Sequence, residues 1–486
     1  MIVPPNGYAA VIGHPENPVQ WLSYLYTKMP ARHSPVLQYG AYYEGNQQKL
    51  AFSQAKYRSA FHAVFEEWRD NFCGMIVDSS NERMNVDSFR FPDYSQSAKD
   101  VREIWQRSSM DAFSSSVHLD AMIHGSAYVI VWADHQGQPL ITPYSAEQLV
   151  VQYKTGSLTE IEAAALFLID PWGRQMATLW TEKYVYDIPP GVNDWEDGKL
   201  TRNPLRRVPV VPFHNRTRLG KPSSSDLRDI VPIQDAINKT VTDALTASEY
   251  AAFPQRWVTG LEIKEDSNGR PVEPFDSAVD KILQAEDPTA KFGSFAAADL
   301  KNYVTLVSML VQHMASISRL PLHYFLVNGG SSPSGESLIS AEAGLVAKVR
   351  ERMLHFGESW ERVIRLCFAV LGDARQNAYT METVWKDPEY RTEAQHIDSL
   401  LKLKQLNVPE EQLWSDAGYS PAAISSFREM RREDARAAAE VQRLGPQPEK
   451  ISGVGATPQE AKAARMAYKI PQGNSGNANR KIHEAK

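Results

Sequence analysis

The sequence predicts an α+β chain, mainly helical, on three observations. Apolar residues recur at spacings of three and four through the first 125 residues and again beyond residue 225. Between these regions the period changes, and short apolar runs alternate with Gly, Pro and Asp turns. Beyond residue 338 a near-continuous helical stripe runs for roughly 35 residues.

At 486 residues and 43% apolar, the chain fits two to four domains with buried cores. Eleven Trp, 20 Tyr and 17 Phe exclude wholesale disorder. A net charge of −6 offers none of the basic excess that drives sequence-independent DNA affinity. Cys73 and Cys367 fall in apolar helical stretches, so neither a disulfide framework nor a Cys-based metal site is expected, and a reducing compartment fits. Residues 1–12 carry neither a basic leader nor a long apolar core, and no run approaches the roughly 18 apolar residues of a membrane span. Neither secretion nor membrane insertion is expected.

Residues 16–125 read as helical. Phe61, Val64, Phe65, Trp68, Phe72, Met75 and Ile76 mark one stripe, and a second helix is expected over residues 99–123, stopped by Gly125. From Ser126 onward, runs at 127–132, 148–153 and 183–188 predict a small, mostly antiparallel sheet. Helix returns after Pro222, with Ser225 as its cap and Leu227, Ile230, Val231, Ile237, Val241, Ala244 and Leu245 on one face. Pro232 belongs in a first turn, which leaves a regular helix of about 22 residues, roughly 33 Å.

Residues 255–297 read as a small mixed module, with a strand at 256–259, a turn at 267–269 and a helix at 276–284. The next helix, over residues 298–319, carries Tyr303, Leu306, Val307, Leu310, Val311, Met314 and Ile317, and ends where Leu320 precedes Pro321. Then comes a loop without large apolar side chains: Asn328, Gly329, Gly330, Ser331, Ser332, Pro333, Ser334, Gly335 and Glu336. The long helix after it has Gly344 and Gly357 as expected bending points. Three further helices beyond Trp385 are punctuated near Pro409 and at the Ser420-Pro421 pair.

From Arg431 onward eleven Lys/Arg face six Asp/Glu, so this end is basic by five and the remainder carries about −11. Residues 445–486 are expected to be disordered.

Gly330 to Ser337 has the glycine spacing of a P-loop, but Glu336 stands where the phosphate-binding Lys must be. A carboxylate there repels a triphosphate, and no βαβ series surrounds it. The 12 histidines show no ligand-spaced pair, and no nucleophile elbow occurs. No catalytic residue, metal or cofactor is assigned, and the chain is not read as an enzyme.

Several local patterns, taken in order, resemble the portal proteins of long-tailed bacteriophages from about residue 16 to residue 440. Asp120-Ala-Met-Ile-His-Gly-Ser-Ala-Tyr128 resembles the family's outer wing. Val208-Pro-Val-Val-Pro-Phe-His-Asn215 with Ile233-Gln-Asp-Ala-Ile-Asn238 is similar to the approach to the first stem helix. Ala251-Ala-Phe-Pro254 and Trp257-Val-Thr-Gly260 resemble the passage into the clip. Leu320-Pro-Leu-His-Tyr-Phe325 and Pro333-Ser-Gly-Glu336 resemble the end of the second stem helix and the tunnel loop. Trp385-Lys-Asp-Pro388 with Gly418-Tyr-Ser-Pro421 is similar to the region leading into the crown.

The resemblance implies a portal fold of wing (1–222), first stem helix (223–253), clip (254–297), second stem helix (298–320), tunnel loop region (321–337), long wing helix with its return (338–384) and crown (385–444). It implies a ring, usually of twelve subunits, at one vertex of the virion capsid, assembled in the host cytoplasm. The implied partners are double-stranded DNA in the channel, the large terminase, major capsid and scaffolding proteins, and a neck or head-completion adaptor. Residues 328–336 would line the channel, and Ile230, Ile237, Val241, Leu245, Leu306, Leu310 and Met314 would pack between neighbouring subunits. A head or neck structural protein without a channel and a P-loop DNA motor remain as alternatives.

Overall fold

A computed structural model describes residues 13–29, 35–46, 70–92, 97–192, 194–252, 256–260, 267–269, 288–295, 299–325, 335–389, 393–419 and 421–444. The expected stripe at residues 61–68, the helix at 276–284 and the disordered end at 445–486 lie outside them. The chain divides into two compact units, Met1–Tyr390 and Arg391–Lys486.

In the first unit α1 (Pro18–Thr27) is capped by Asn17, whose side chain accepts from the Gln20 amide at 2.9 Å. Helices α2 (Pro35–Tyr43) and α3 (Cys73–Asn81) follow, and then strand β1 (Val86–Arg90) interrupts the expected all-helical stretch. Its partner is β12 (Glu382–Trp385), almost 300 residues away in the chain, so no local period could announce it. The single helix expected over 99–123 is two, α4 (Ser97–Arg107) and α5 (Met110–His124). Ser109 breaks it in the left-handed region at φ 53°, and the buried Ser108 hydroxyl accepts from the Ile141 amide at 3.1 Å. Gly125 ends α5 at φ 90°, as expected; a Cβ there would stand 3.2 Å from the backbone of Ser224 and Ser225.

The expected single sheet is two, both antiparallel. β2 (Ser126–Ala133) lies between β3 (Pro139–Ser145) and β9 (Val210–His214). The second sheet runs in chain order: β4 (Leu149–Tyr153), β5 (Ile161–Ile169), β6 (Gln175–Thr181), β7 (Tyr184–Ile188) and β8 (Lys199–Arg202). Both faces of β5 are covered. Ala163, Ala165 and Phe167 meet Trp21, Leu22 and Leu25 of α1, while Ala164 and Leu166 meet Tyr128 and Ile130 of the other sheet. His214 ties the two sheets: Tyr153 Oη and Ser126 Oγ hydrogen-bond its ring nitrogens at 2.6 and 2.9 Å.

Helix α6 (Val231–Ala252) has the expected 22 residues with Pro232 in its first turn. Ser225 does not cap it; its hydroxyl accepts from the Leu227 amide at 3.0 Å and closes a turn that precedes the helix. A hairpin of β10 (Arg256–Thr259) and β11 (Lys291–Ser294) leads to α7 (Lys301–Ser318). Then α8 (Gly335–Val370) runs unbroken for 36 residues, about 54 Å. At Gly357 the missing Cβ lets β12 close in: a Cβ would stand 3.3 Å from Trp385 Nε1.

The main core gathers on α8. Trp360 is fully buried, its ring 4.7 Å from Phe213 and 5.0 Å from Trp105. Its Nε1 donates to Nε2 of the buried His118 at 2.8 Å, which fixes the neutral imidazole with its proton on Nδ1 beside the Met84 backbone. Two cations share this helix. Asp226, just before α6, accepts from Lys348 at 2.9 Å, Arg352 at 3.3 Å and Asn215 at 2.9 Å, all with buried side chains. Burial alone would raise the Asp226 carboxyl, but Lys348 and Arg352 outweigh it and hold the group at about 2.

The second unit holds α9 (Glu393–Gln405), α10 (Glu410–Asp416) and α11 (Pro421–Leu444), the three helices expected after Trp385. Ser420 itself lies outside the described residues. Phe427 packs edge-on against Trp414 and Tyr419, with ring centroids 5.5 and 5.1 Å away, and Arg428 pairs with Glu411.

Two outcomes follow from the buried polar groups. Burial depresses His118 from 6.5 to about 3 and His214 to about 4, so as pH falls below 6.5 the unfolded chain takes up protons that the folded chain refuses. Unfolding free energy, measured by denaturant titration from about pH 8 to about pH 4, is level above 6.5 and declines below it; a level curve throughout would contradict the assignment. Asp226→Ala leaves two buried cations without their carboxylate and lowers stability by about 3–5 kcal/mol, read by the same titration at neutral pH.

Candidate channel and subunit-packing site

Helices α6 and α7 lie side by side. Each buries one stripe in the protein's own core, and on α7 several large apolar residues are left uncovered. Val311, Met314, Ala315 and Ser318 are buried, whereas Val304, Leu306, Met309 and Ile317 are 66, 41, 44 and 52% exposed. Leu306, Met309 and Ile317 share the side away from the buried stripe with His313 and Ser316, and between Asn302 and Ser318 no Asp, Glu, Lys or Arg occurs. Large apolar side chains exposed together on a side without Asp, Glu, Lys or Arg suit a surface that a partner covers.

The residues expected to pack between subunits divide accordingly. Ile230, Ile237 and Met314 are buried within this one chain. Val241 and Leu310 are half-buried against the same core. Leu245 and Leu306 are exposed and remain available to a neighbour. Periodicity located the apolar positions, but it does not say which of them face their own chain.

Of the expected channel loop, Asn328, Gly329, Gly330, Ser331, Ser332, Pro333 and Ser334 lie outside the described residues. Gly335 opens α8, and Glu336 follows it in the first turn. The segment before the loop is a 3-10 turn, Leu322–Tyr324, and every strand pair among the described residues is antiparallel. A P-loop needs a strand there, within a βαβ unit, so the phosphate-binding reading has lost its context.

The sequence reading missed two polar clusters that fix these elements. One is Asp226 with Lys348 and Arg352, which ties the run into α6 to α8. Its signal was present: two cations four residues apart on the same side of α8 as Leu345 and Val349. The other joins Arg83, Tyr324 and Glu342, whose members are far apart in sequence and gave no signal.

Among the described residues no group of three His, Cys, Asp or Glu could hold a metal ion, and no helix is long and apolar enough to cross a membrane. Cys73 and Cys367 are buried free thiols.

Residues 23–438 match the family model described as phage portal protein, SPP1 Gp6-like. The chain is 29% identical over 385 residues to the portal protein of Mycobacterium phage D29, covering 75% of this chain and 78% of that protein. It is 28% identical over 388 residues to the portal protein of Mycobacterium phage L5, with the same shares covered. With the family match running through the two sheets, the paired helices and α8 into the second unit, the chain belongs to the phage portal protein family.

Proposed function

We propose that this portal protein works as one subunit of a closed ring, of twelve copies by analogy with its family, forming a channel for double-stranded DNA at one capsid vertex. The observation that carries the ring is the uncovered side of α7, where Leu306, Met309 and Ile317 stand in water on a helix that has no Asp, Glu, Lys or Arg after Lys301. In a ring each copy covers this side with a different surface of the next, the head-to-tail contact that closes on itself when the rotation is complete.

In this reading residues 1–222 with the long helix and its return form the wing, α6 and α7 the stem, residues 254–297 the clip and residues 385–444 the crown. The clip docks the large terminase during packaging and the neck adaptor afterwards, and the wing meets major capsid and scaffolding proteins. Assembly takes place in the host cytoplasm, and the ring remains in the virion.

The proposed channel residues 328–336 carry no Lys or Arg. Phosphate contacts from cations would hold DNA in place through counterion release, so a loop of Ser, Gly and Asn lets DNA slide. With Glu336 in the place of the phosphate-binding Lys, the work of packaging falls to the docked motor.

Three measurements test this reading. Electron micrographs of the purified chain show rings with an axial hole; a compact particle without one would favour a head or neck protein that forms no channel. Leu306→Glu combined with Ile317→Glu places carboxylates on the uncovered α7 face and shifts the native mass from ring to monomer, with little loss of monomer stability because both positions are exposed. Deleting Gly330–Ser334 leaves ring formation intact and lowers the fraction of heads that retain full-length DNA; unchanged retention would remove this loop from the channel.

A further inference from the structure

We propose that Arg83 is a positioning residue that holds Tyr324 to Glu342, fixing the separation of the two chain ends that flank residues 326–334 and so limiting how those residues can be placed in the proposed channel. This rests on the reading that residues 326–334 line the channel, but the clamp itself stands on geometry alone.

Arg83 lies in the turn between α3 and β1, its side chain only 3% exposed. The turn is a rigid mount. Met84 beside it is buried at 1% exposure, and its amide donates to the Asn81 carbonyl at 2.9 Å. From there the guanidinium reaches three separate places. Nη2 donates to Tyr324 Oη at 2.7 Å, and Nη1 to Glu342 Oε2 and to the Pro388 carbonyl, each at 3.2 Å. Tyr324 closes the triangle by donating to Glu342 Oε1 at 3.2 Å.

Tyr324 and Glu342 flank the loop on either side. Tyr324 ends the 3-10 turn that follows α7, and Glu342 sits two turns into α8. The neighbouring apolar residues reinforce each end. Phe325 is buried with its ring 5.7 Å from Phe72, and Leu345 is fully buried one turn beyond Glu342. The apolar contacts can tolerate small slides, whereas a planar fork with fixed donor directions cannot, so Arg83 sets the separation of the two ends. Lysine carries the charge but not the fork. The Pro388 contact adds the close of the first unit to the same guanidinium, two residues before the division at Tyr390.

The test is hydrogen exchange on full-length assembled protein, comparing wild type with Arg83→Ala, Arg83→Lys, Glu342→Gln and, as a core control, Val363→Ala. Arg83→Ala raises exchange by about tenfold in residues 322–325 and 335–342 while residues 353–368 keep wild-type rates, because only the local opening becomes easier. Arg83→Lys and Glu342→Gln give intermediate increases in the same segments. Val363→Ala instead raises exchange throughout the core. If Arg83→Ala raises all segments together, or none, Arg83 is an ordinary structural residue and the proposal is overturned.

DNA retention by heads built with each variant supplies the second arm, read beside the Gly330–Ser334 deletion. If the deletion lowers retention and Arg83→Ala does not, the proposal fails. If the deletion itself has no effect, the channel reading of the loop fails, and the exchange data still decide the clamp.

Discussion

Helix α8 must meet two demands that pull against each other. It has to bury an apolar stripe nearly its full length, from Leu345 to Phe368, and it has to carry Lys348 and Arg352 into the same interior. A buried cation without a counter-charge costs several kcal/mol, so the helix can dock only where a carboxylate already waits. Asp226 is that carboxylate, and its place is fixed by Asn215, whose side-chain amide donates to Asp226 and to the Ser224 carbonyl and whose backbone nitrogen donates to the Gly125 carbonyl. The register of α8 against the three-stranded sheet and the run into α6 is thereby set by one charge cluster. The apolar surface supplies the driving force; the cluster supplies the position.

The remaining elements settle around that register. Trp360 comes to rest between Phe213 and Trp105, its indole nitrogen meeting His118. Gly357 lies where β12 returns, and β12 in turn gives β1 its partner. The same helix therefore organises the α5 side, the three-stranded sheet and the strand pair that closes the unit. The five-stranded sheet is different: it packs on α1 and on the other sheet and forms its own two clusters. Two sheets packed back to back need no contribution from α8 beyond what β9 brings.

Much of this was legible in the sequence where local chemistry decides the outcome. Pro232 and Pro321 bracket helices correctly because a ring at a fixed φ acts on its immediate neighbours. Gly125 ends α5 because only a residue without a Cβ fits beside Ser224 and Ser225. The failures share another cause. Val86–Arg90 becomes a strand because of Glu382–Trp385, and the helix breaks at Ser109, beside Ser108 whose hydroxyl accepts a distant strand amide. β5 hides its alternation because both faces are covered. Periodicity could not tell that Ile237 and Met314 are buried in this chain while Leu306 and Ile317 are exposed, because it marks apolar positions without saying what covers them. The family likeness was readable from ordered local patterns, and the clamp around Arg83 was not, since its four members span more than 300 residues of sequence.

A channel that conducts DNA without chemistry has to be stiff where subunits meet and unadhesive where DNA passes. These requirements separate cleanly along this chain. α7 has no Asp, Glu, Lys or Arg between Asn302 and Ser318, where in the proposed ring Leu306, Met309 and Ile317 meet a neighbour, and residues 328–336 have no Lys or Arg, which in the proposed channel would grip phosphates. Between those two segments stands Tyr324, held by Arg83 to Glu342. In the proposed ring, a loop without apolar side chains cannot anchor itself, so its reach into the channel is set by the separation of its ends. Rigidity at the base is then what allows the tip to be smooth: the positional information lies in buried hydrogen bonds behind the channel wall, and the surface offered to DNA is free to carry none.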